Sequence, residues 1–193
     1  MKKSKKNIKR DFYEVNAPLT ATKIHLYAGA PEDLNGKVVK LDLTKSLRGK
    51  SLELKMKVRL EDGKLEAEPV SALLVSSYIR KMMRRGTDYV EDSFEAKCRD
   101  VKVRVKPFFI TRKRVSRPVR NVLRETAKKF LEGYLKTRTA REIFSEIMAN
   151  KLQKQLALKL KKIYPLALCE IRMFEVVGEL DKKDKAEEKA EVQ

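Results

Sequence analysis

"VKVRVKPFFITRKRVSRPVRNVLRE", residues 101–125, changes period partway along. Val101, Val103 and Val105 alternate with Lys102, Arg104 and Lys106, the period of two of a strand with one apolar face. After Pro107 and the pair Phe108–Phe109 comes a tribasic run, Arg112-Lys113-Arg114. From there the spacing turns helical: Val119, Val122, Leu123, Ala127, Phe130, Leu131 and Tyr134 recur at threes and fours. A strand therefore runs into a helix through a cationic junction. Residues 100–124 hold nine cations and one acid, and like charges at such density call for an anionic partner.

Upstream of this pivot the chain reads as β. In "LELKMKVRLE" Leu52, Leu54, Met56, Val58 and Leu60 point one way, and Glu53, Lys55, Lys57, Arg59 and Glu61 the other. Asp62-Gly63 predicts a tight hairpin into residues 65–70. "GKVVKLDL" and "TKIHLYA" read as further strands, and 89–97 pairs with 101–110 through a turn near Arg99-Asp100. Ser71 is read as the cap of a helix reaching Arg85, with Gly86 as its stop.

Downstream, Thr139-Ala140-Arg141-Glu142 is a capping box that opens a second long helix ended by Pro165. "LALCEIRMFEV" predicts a last strand, placed back against residues 101–110. The expected fold is α+β: an N-terminal curved antiparallel sheet or small β-barrel, then a C-terminal βααβ-type region with two long helices. Residues 1–10 read as a mobile basic arm and 11–177 as the globular domain (β-rich over 20–110, helical over 117–163, final strand 166–176). Residues 178–193 read as a disordered charged tail.

The totals agree with a polyanion binder. Of 193 residues 42% are hydrophobic, enough for a core, while 38% are charged and the net charge is +19. The apolar runs are too short to span a bilayer, and no apolar segment follows the N-terminal cations as in a signal peptide, so no membrane role is expected. Cys98 and Cys169 have no metal-ligand spacing and read as reduced, partly buried thiols. A single histidine, His25, sits in a strand and reads as a surface or partly packed residue. The seven glycines form neither a P-loop nor a dinucleotide fingerprint. Glu125, Glu132, Glu142 and Glu146 lie among cations on helices, as solvated ion pairs do. Neither catalysis, nor a metal or other cofactor, nor a small-molecule substrate is expected.

The candidate nucleic-acid contacts follow from the pivot. Lys102, Arg104 and Lys106 share the strand face opposite the valines, and Arg112, Lys113 and Arg114 form the junction. Arg117, Arg120, Arg124 and Lys128 make one helical stripe beside a helix N-terminus, which itself attracts anions. Arginine predominates, and its planar fork matches phosphate. A smaller patch holds Arg80, Lys81, Arg84 and Arg85, and the arm contributes Lys9 and Arg10. Phe108 and Phe109 lie where rings stack on bases, although at least one is expected in the core.

Four ordered blocks, "RDFYEVNAP" (10–18), "GKVVKLDLTKSL" (36–47), "RVKPFFITRKR" (104–114) and "KIYPLALCEIRMFEVV" (162–177), resemble the S-three-A-e family of archaeal and eukaryotic small-subunit ribosomal proteins, archaeal members above all. The resemblance covers residues 10–177. It implies a structural, non-catalytic protein bound to small-subunit ribosomal RNA and taking part in translation in the cytoplasm. It also implies a place on the platform near the messenger-exit side, among neighbouring ribosomal proteins and the 3′ region of the RNA. The family's junction cations correspond to Arg112, Lys113 and Arg114. Two other classes remain beside it: an RNA-processing or RNA-modifying enzyme using the same basic face, and an adaptor for acidic proteins.

Overall fold

The computed structural model describes residues 10–179 apart from Arg48 and Asp62. The expected arm before Arg10 (with Lys9), the tail from residue 180 and Asp62 of the expected hairpin turn lie outside the described residues. The described chain is α+β, as the periodicities require, with nine strands and four α-helices. It divides into two compact units, Met1–Leu41 with Lys55–Val70, and Asp42–Leu54 with Ser71–Gln193. Among the described residues no helix is long and apolar enough to cross a membrane.

The first unit is an open sheet. β1 (Asp11–Ala17) and β2 (Thr22–Ala28) form a hairpin in continuous register from Asp11 opposite Ala28 to Ala17 opposite Thr22. A 3-10 turn at Pro31–Leu34 leads to β3 (Val38–Asp42), then β4 (Leu52–Glu61) and β5 (Lys64–Leu74). The strand order is β2-β1-β5-β4-β3, so the expected sheet is present and not closed into a barrel. Val15, Ala17, Met56, Val58, Leu65 and Ala67 are buried, the alternation on β4 and β5 that the sequence predicts. β1 itself was not among the predicted strands, because "DFYEVNA" mixes polar and apolar residues on both faces.

The second unit holds the pivot. β8 (Val101–Thr111) and β9 (Leu166–Glu179) pair antiparallel, from Val101 opposite Glu179 to Thr111 opposite Leu166. β6 (Tyr89–Glu91) and β7 (Phe94–Lys97) pair with the other edge of β8. Residues 71–73 of β5 pair with Met173–Glu175 on the far edge of β9. Ser71 is therefore a buried strand residue and not a helix cap; its backbone is taken by the ladder to β9. The helix begins later, as α1 (Ser76–Met82), and ends before Arg85.

Two further departures have local causes. β8 is an interior strand, and Pro107 cannot donate to a ladder, so the register shifts between Lys106 and Pro107. Beyond that bulge both faces of β8 are covered, and Phe108, Phe109 and Ile110 are all buried. The second predicted helix is two: α3 (Ala140–Met148) and α4 (Lys151–Lys161), parted where Asn150 takes a left-handed φ of 57°. Asparagine tolerates that conformation better than most residues. The capping box at α3 forms as read, with Glu142 N–H donating to Thr139 Oγ1 and Thr139 N–H to Glu142 Oε2. α2 (Arg117–Lys136) buries Leu123, Ala127, Leu131 and Leu135, and Phe144 of α3 meets Phe174 of β9 edge-on at 4.8 Å.

Candidate nucleic-acid interface

The junction bend is held from beneath by two residues. Thr111, fully buried at the end of β8, donates its N–H to Asp88 O (3.0 Å) and its hydroxyl to Lys113 O (2.7 Å). The same hydroxyl accepts from Asp88 N–H at 3.0 Å, and the Asp88 carboxylate accepts from Val115 N–H at 2.8 Å. This brace fixes the backbone on both sides of residues 112–114 and leaves Arg112, Lys113 and Arg114 exposed, with Arg117 exposed at the first turn of α2. Among the described residues none of these four side chains has an ion-pair or hydrogen-bond partner.

The second patch lies just before Asp88 in the chain. Arg84 and Arg85 lie four and three residues before that aspartate, exposed, with Arg80 and Lys81 in the last turn of α1. On the other flank a groove of about 410 Å³ is lined by Arg112, Lys154, Ala157, Leu158, Lys161, Pro165 and Leu166. Lys154 and Lys161 were missed at the level of sequence, although the signal was present. Lys151, Lys154, Leu158 and Lys161 recur at three, four and three, on the side of α4 away from buried Leu152, Leu156 and Leu160.

Other predicted contacts are not part of this free cluster. On β8, Lys102, Arg104 and Lys106 are half-buried. Arg104 Nη2 donates to Glu95 Oε1 of β7 at 2.7 Å and stands opposite Glu175 of β9, and the Glu95 hydrogen bond raises its pKa further. The stretch around Arg104 lacks acids in sequence, but strand pairing supplies them. On α2 the basic row does not face away from the sheet as a unit. Arg124 Nε donates to Glu91 O at 3.1 Å, Arg120 is half-buried, and Lys128 lies 5.9 Å from the centre of the Phe94 ring. Glu91 in turn binds Arg172 at 2.6 and 2.7 Å and accepts from Tyr89 Oη at 2.7 Å. Burial, with the Glu91 bond second, pushes the Tyr89 hydroxyl up to about 12.

Phe108 and Phe109 are fully buried and present no face to a base. The exposed aromatic pair is Phe12 with Tyr27 in the first unit, directly opposed across β1–β2 with ring centres 5.0 Å apart. Arg10 is exposed at the start of that unit, and His25 is exposed opposite Glu14. Among the described residues no group of three or more His, Cys, Asp or Glu is placed to hold a metal ion.

The brace makes a prediction. Asp88→Ala removes the carboxylate that holds Val115 N–H but takes away no cation. Polyanion affinity is expected to fall several-fold while the dependence of log affinity on log salt keeps its slope, because the number of phosphate contacts is unchanged. Titration of an RNA at several salt concentrations reads both quantities, and a shallower slope would mean that Asp88 acts otherwise.

The thiols are chemically quiet. Cys98 is a free, buried thiol, pushed up to about 12 by burial and then by Asp100, and burial raises Cys169 as well. The folded Cys98 thiol resists ionisation, so its stabilising effect is complete below the ordinary value of 9.0 and is lost as pH rises through 9 towards 12. At pH 8 the native thiol is expected to be alkylated roughly a thousandfold more slowly than an unfolded one, from thiolate fraction alone. Timed alkylation with and without urea, read by mass spectrometry, checks this.

The sequence model of the ribosomal S3Ae family matches residues 1–179. The small ribosomal subunit protein eS1 of Nanoarchaeum equitans is 27% identical over 173 residues, covering 84% of this chain and 86% of its own length. That of Desulfurococcus amylolyticus is 27% identical over 170 residues, covering 84% and 80%. That of Methanothermobacter thermautotrophicus is 29% identical over 107 residues, 55% of each chain.

Proposed function

This chain belongs to the ribosomal S3Ae family, and from that premise we propose that it binds small-subunit ribosomal RNA through the braced strand–helix junction. It is a small ribosomal subunit protein that takes part in translation in the cytoplasm, assembling with ribosomal RNA and other ribosomal proteins. Its role is structural, and its place is the platform near the messenger-exit side, with cross-linking in intact subunits as the check on that position.

The observation that carries the RNA contact is the set Arg112, Lys113, Arg114 and Arg117, exposed on a fixed backbone with no acid among the described residues to neutralise them. Forming four cations side by side is unfavourable unless an anion meets them, and guanidinium forks suit phosphate oxygens. Arg84 and Arg85 on one flank and Lys154 and Lys161 on the other extend the same surface. Lys102, Arg104, Lys106, Arg120 and Arg124 are supporting residues in this reading, the last holding β6 to α2.

The test is incorporation. The Arg112→Glu/Arg114→Glu protein is expected to fold by circular dichroism yet stay at the top of a sucrose gradient, away from the small subunit. Normal incorporation would overturn the reading.

A further inference from the structure

The outer face of the β1–β2 hairpin carries a feature that the junction leaves unused. Phe12 and Tyr27 stand directly opposite one another, with ring centres 5.0 Å apart and planes tilted by 46°. Phe12 is 73% exposed, more than any other large hydrophobic among the described residues, and Tyr27 is 54% exposed. A cross-strand aromatic pair helps to hold a hairpin, but threonine or β-branched pairs contribute on the same scale without leaving two rings in water. Hairpin stability alone does not account for the exposure.

The surroundings of the rings indicate what covers them. Strand alternation puts Glu14, Asn16, Lys23 and His25 on the same face, all exposed, and Glu14 is already bound to Lys23 at 2.9 Å. The rings are thus an island in a polar face, whereas a protein-docking surface presents a contiguous apolar patch. Residues 1–10 carry six cations and no acid and lead directly into this strand, with Arg10 exposed two residues before Phe12. The first acid, Asp11, belongs to the other face of β1 by alternation. Open rings beside a run of cations suit single-stranded nucleic acid, in which phosphates meet the cations and unstacked bases lie on the rings. A duplex keeps its base faces in its own stack and offers the rings nothing.

We infer that Phe12 and Tyr27 form a stacking platform for unpaired bases of an RNA strand, whose phosphates are met by Arg10 and the cations that precede it. The inference rests on the ribosomal reading above but uses none of the junction residues.

The chain contains no tryptophan, so Phe12→Trp places a single indole on the platform. The full chain with this substitution is titrated with a ten-nucleotide oligoadenylate, with the same strand annealed to its complement, and with inorganic polyphosphate. The single strand is expected to quench the indole emission strongly, and the duplex and polyphosphate hardly at all. Phe12→Leu/Tyr27→Leu keeps apolar cover and removes both rings. It is expected to weaken oligoadenylate binding about tenfold while the slope of log affinity against log salt stays unchanged, because stacking releases no counterions. Phe12→Tyr/Tyr27→Phe keeps both rings and is expected to bind close to wild type. Equal quenching by polyphosphate, no quenching by the single strand, or wild-type affinity in a folded leucine variant overturns the inference. So does an indole change on incorporation into subunits without any response to the single strand, which would mark a protein as the occupant. Arg112→Glu/Arg114→Glu separates this inference from the junction reading. If that protein incorporates normally while oligoadenylate still quenches Phe12→Trp, the junction reading fails alone. If incorporation is lost and the single strand quenches nothing, the stacking inference fails alone.

Discussion

Lys50→Ala is expected to destabilise the protein by about 3–5 kcal/mol, the largest effect of any single substitution considered for this chain. Lys50 and Glu170 are only 7% and 8% exposed, and the Lys50 Nζ donates to Glu170 Oε2 and to Asn150 Oδ1, both at 2.6 Å. Three segments of the second unit meet there: the loop before β4, the break between α3 and α4, and β9. Alanine would leave the Glu170 carboxylate buried without its cation and remove a bond to the residue that sets the left-handed break.

The expected signature in urea is a lower midpoint with an unchanged slope, since the surface exposed on unfolding is the same. Lys50→Met/Glu170→Leu is expected to regain most of the loss, because a packed apolar pair avoids the desolvation of both charges. A single variant within about 1 kcal/mol of wild type would mean that water reaches Glu170 and screens it.

Arg112→Glu/Arg114→Glu should act on binding in the way that Lys50→Ala acts on folding. Each phosphate contact contributes ~0.9 to the slope of log affinity against log salt, so losing two is expected to weaken RNA binding roughly fiftyfold at 0.1 M salt. The introduced carboxylates add repulsion to that loss. Both side chains are exposed and unpaired among the described residues, so the melting temperature should hardly move. An affinity that fell equally at every salt concentration would show that geometry, not charge, had been disturbed. Asp88→Ala is the reference for that outcome, since it disturbs the geometry and leaves every cation in place.

These two substitutions differ in how far they are legible without a fold. The junction cations are consecutive in sequence and lie between a period of two and a period near 3.6, so their exposure follows from local pattern. Lys50 and Glu170 are 120 residues apart, and nothing near either of them announces the other. The same contrast runs through the basic surface. Arg104 looks unneutralised in sequence but meets Glu95 nine residues away, once the β7–β8 register is set. Arg124 looks like one more cation on a solvated stripe but is spent on a carbonyl of β6. Lys154 and Lys161 looked like ordinary solvent-facing lysines until the end of β8 brought Arg112 beside them.

By itself, then, the sequence of this protein determined which segments are strands and which are helices wherever period and capping were clear. β4, β8, α2 and the Thr139 capping box are the plainest cases, and all depend on neighbours within a few residues. It also pointed to a polyanionic partner, because net charge is a sum and needs no fold. Only the tertiary structure decided which cations are free to meet it. A charge is neutralised by whatever the strand register and helix packing set within a few ångströms, and those distances are fixed by long-range pairing that no local pattern encodes. Cover on both faces of β8 buried Phe108 and Phe109 alike, and the ladder to β9 took Ser71 from its expected helix. What remained exposed on the braced bend was Arg112, Lys113 and Arg114.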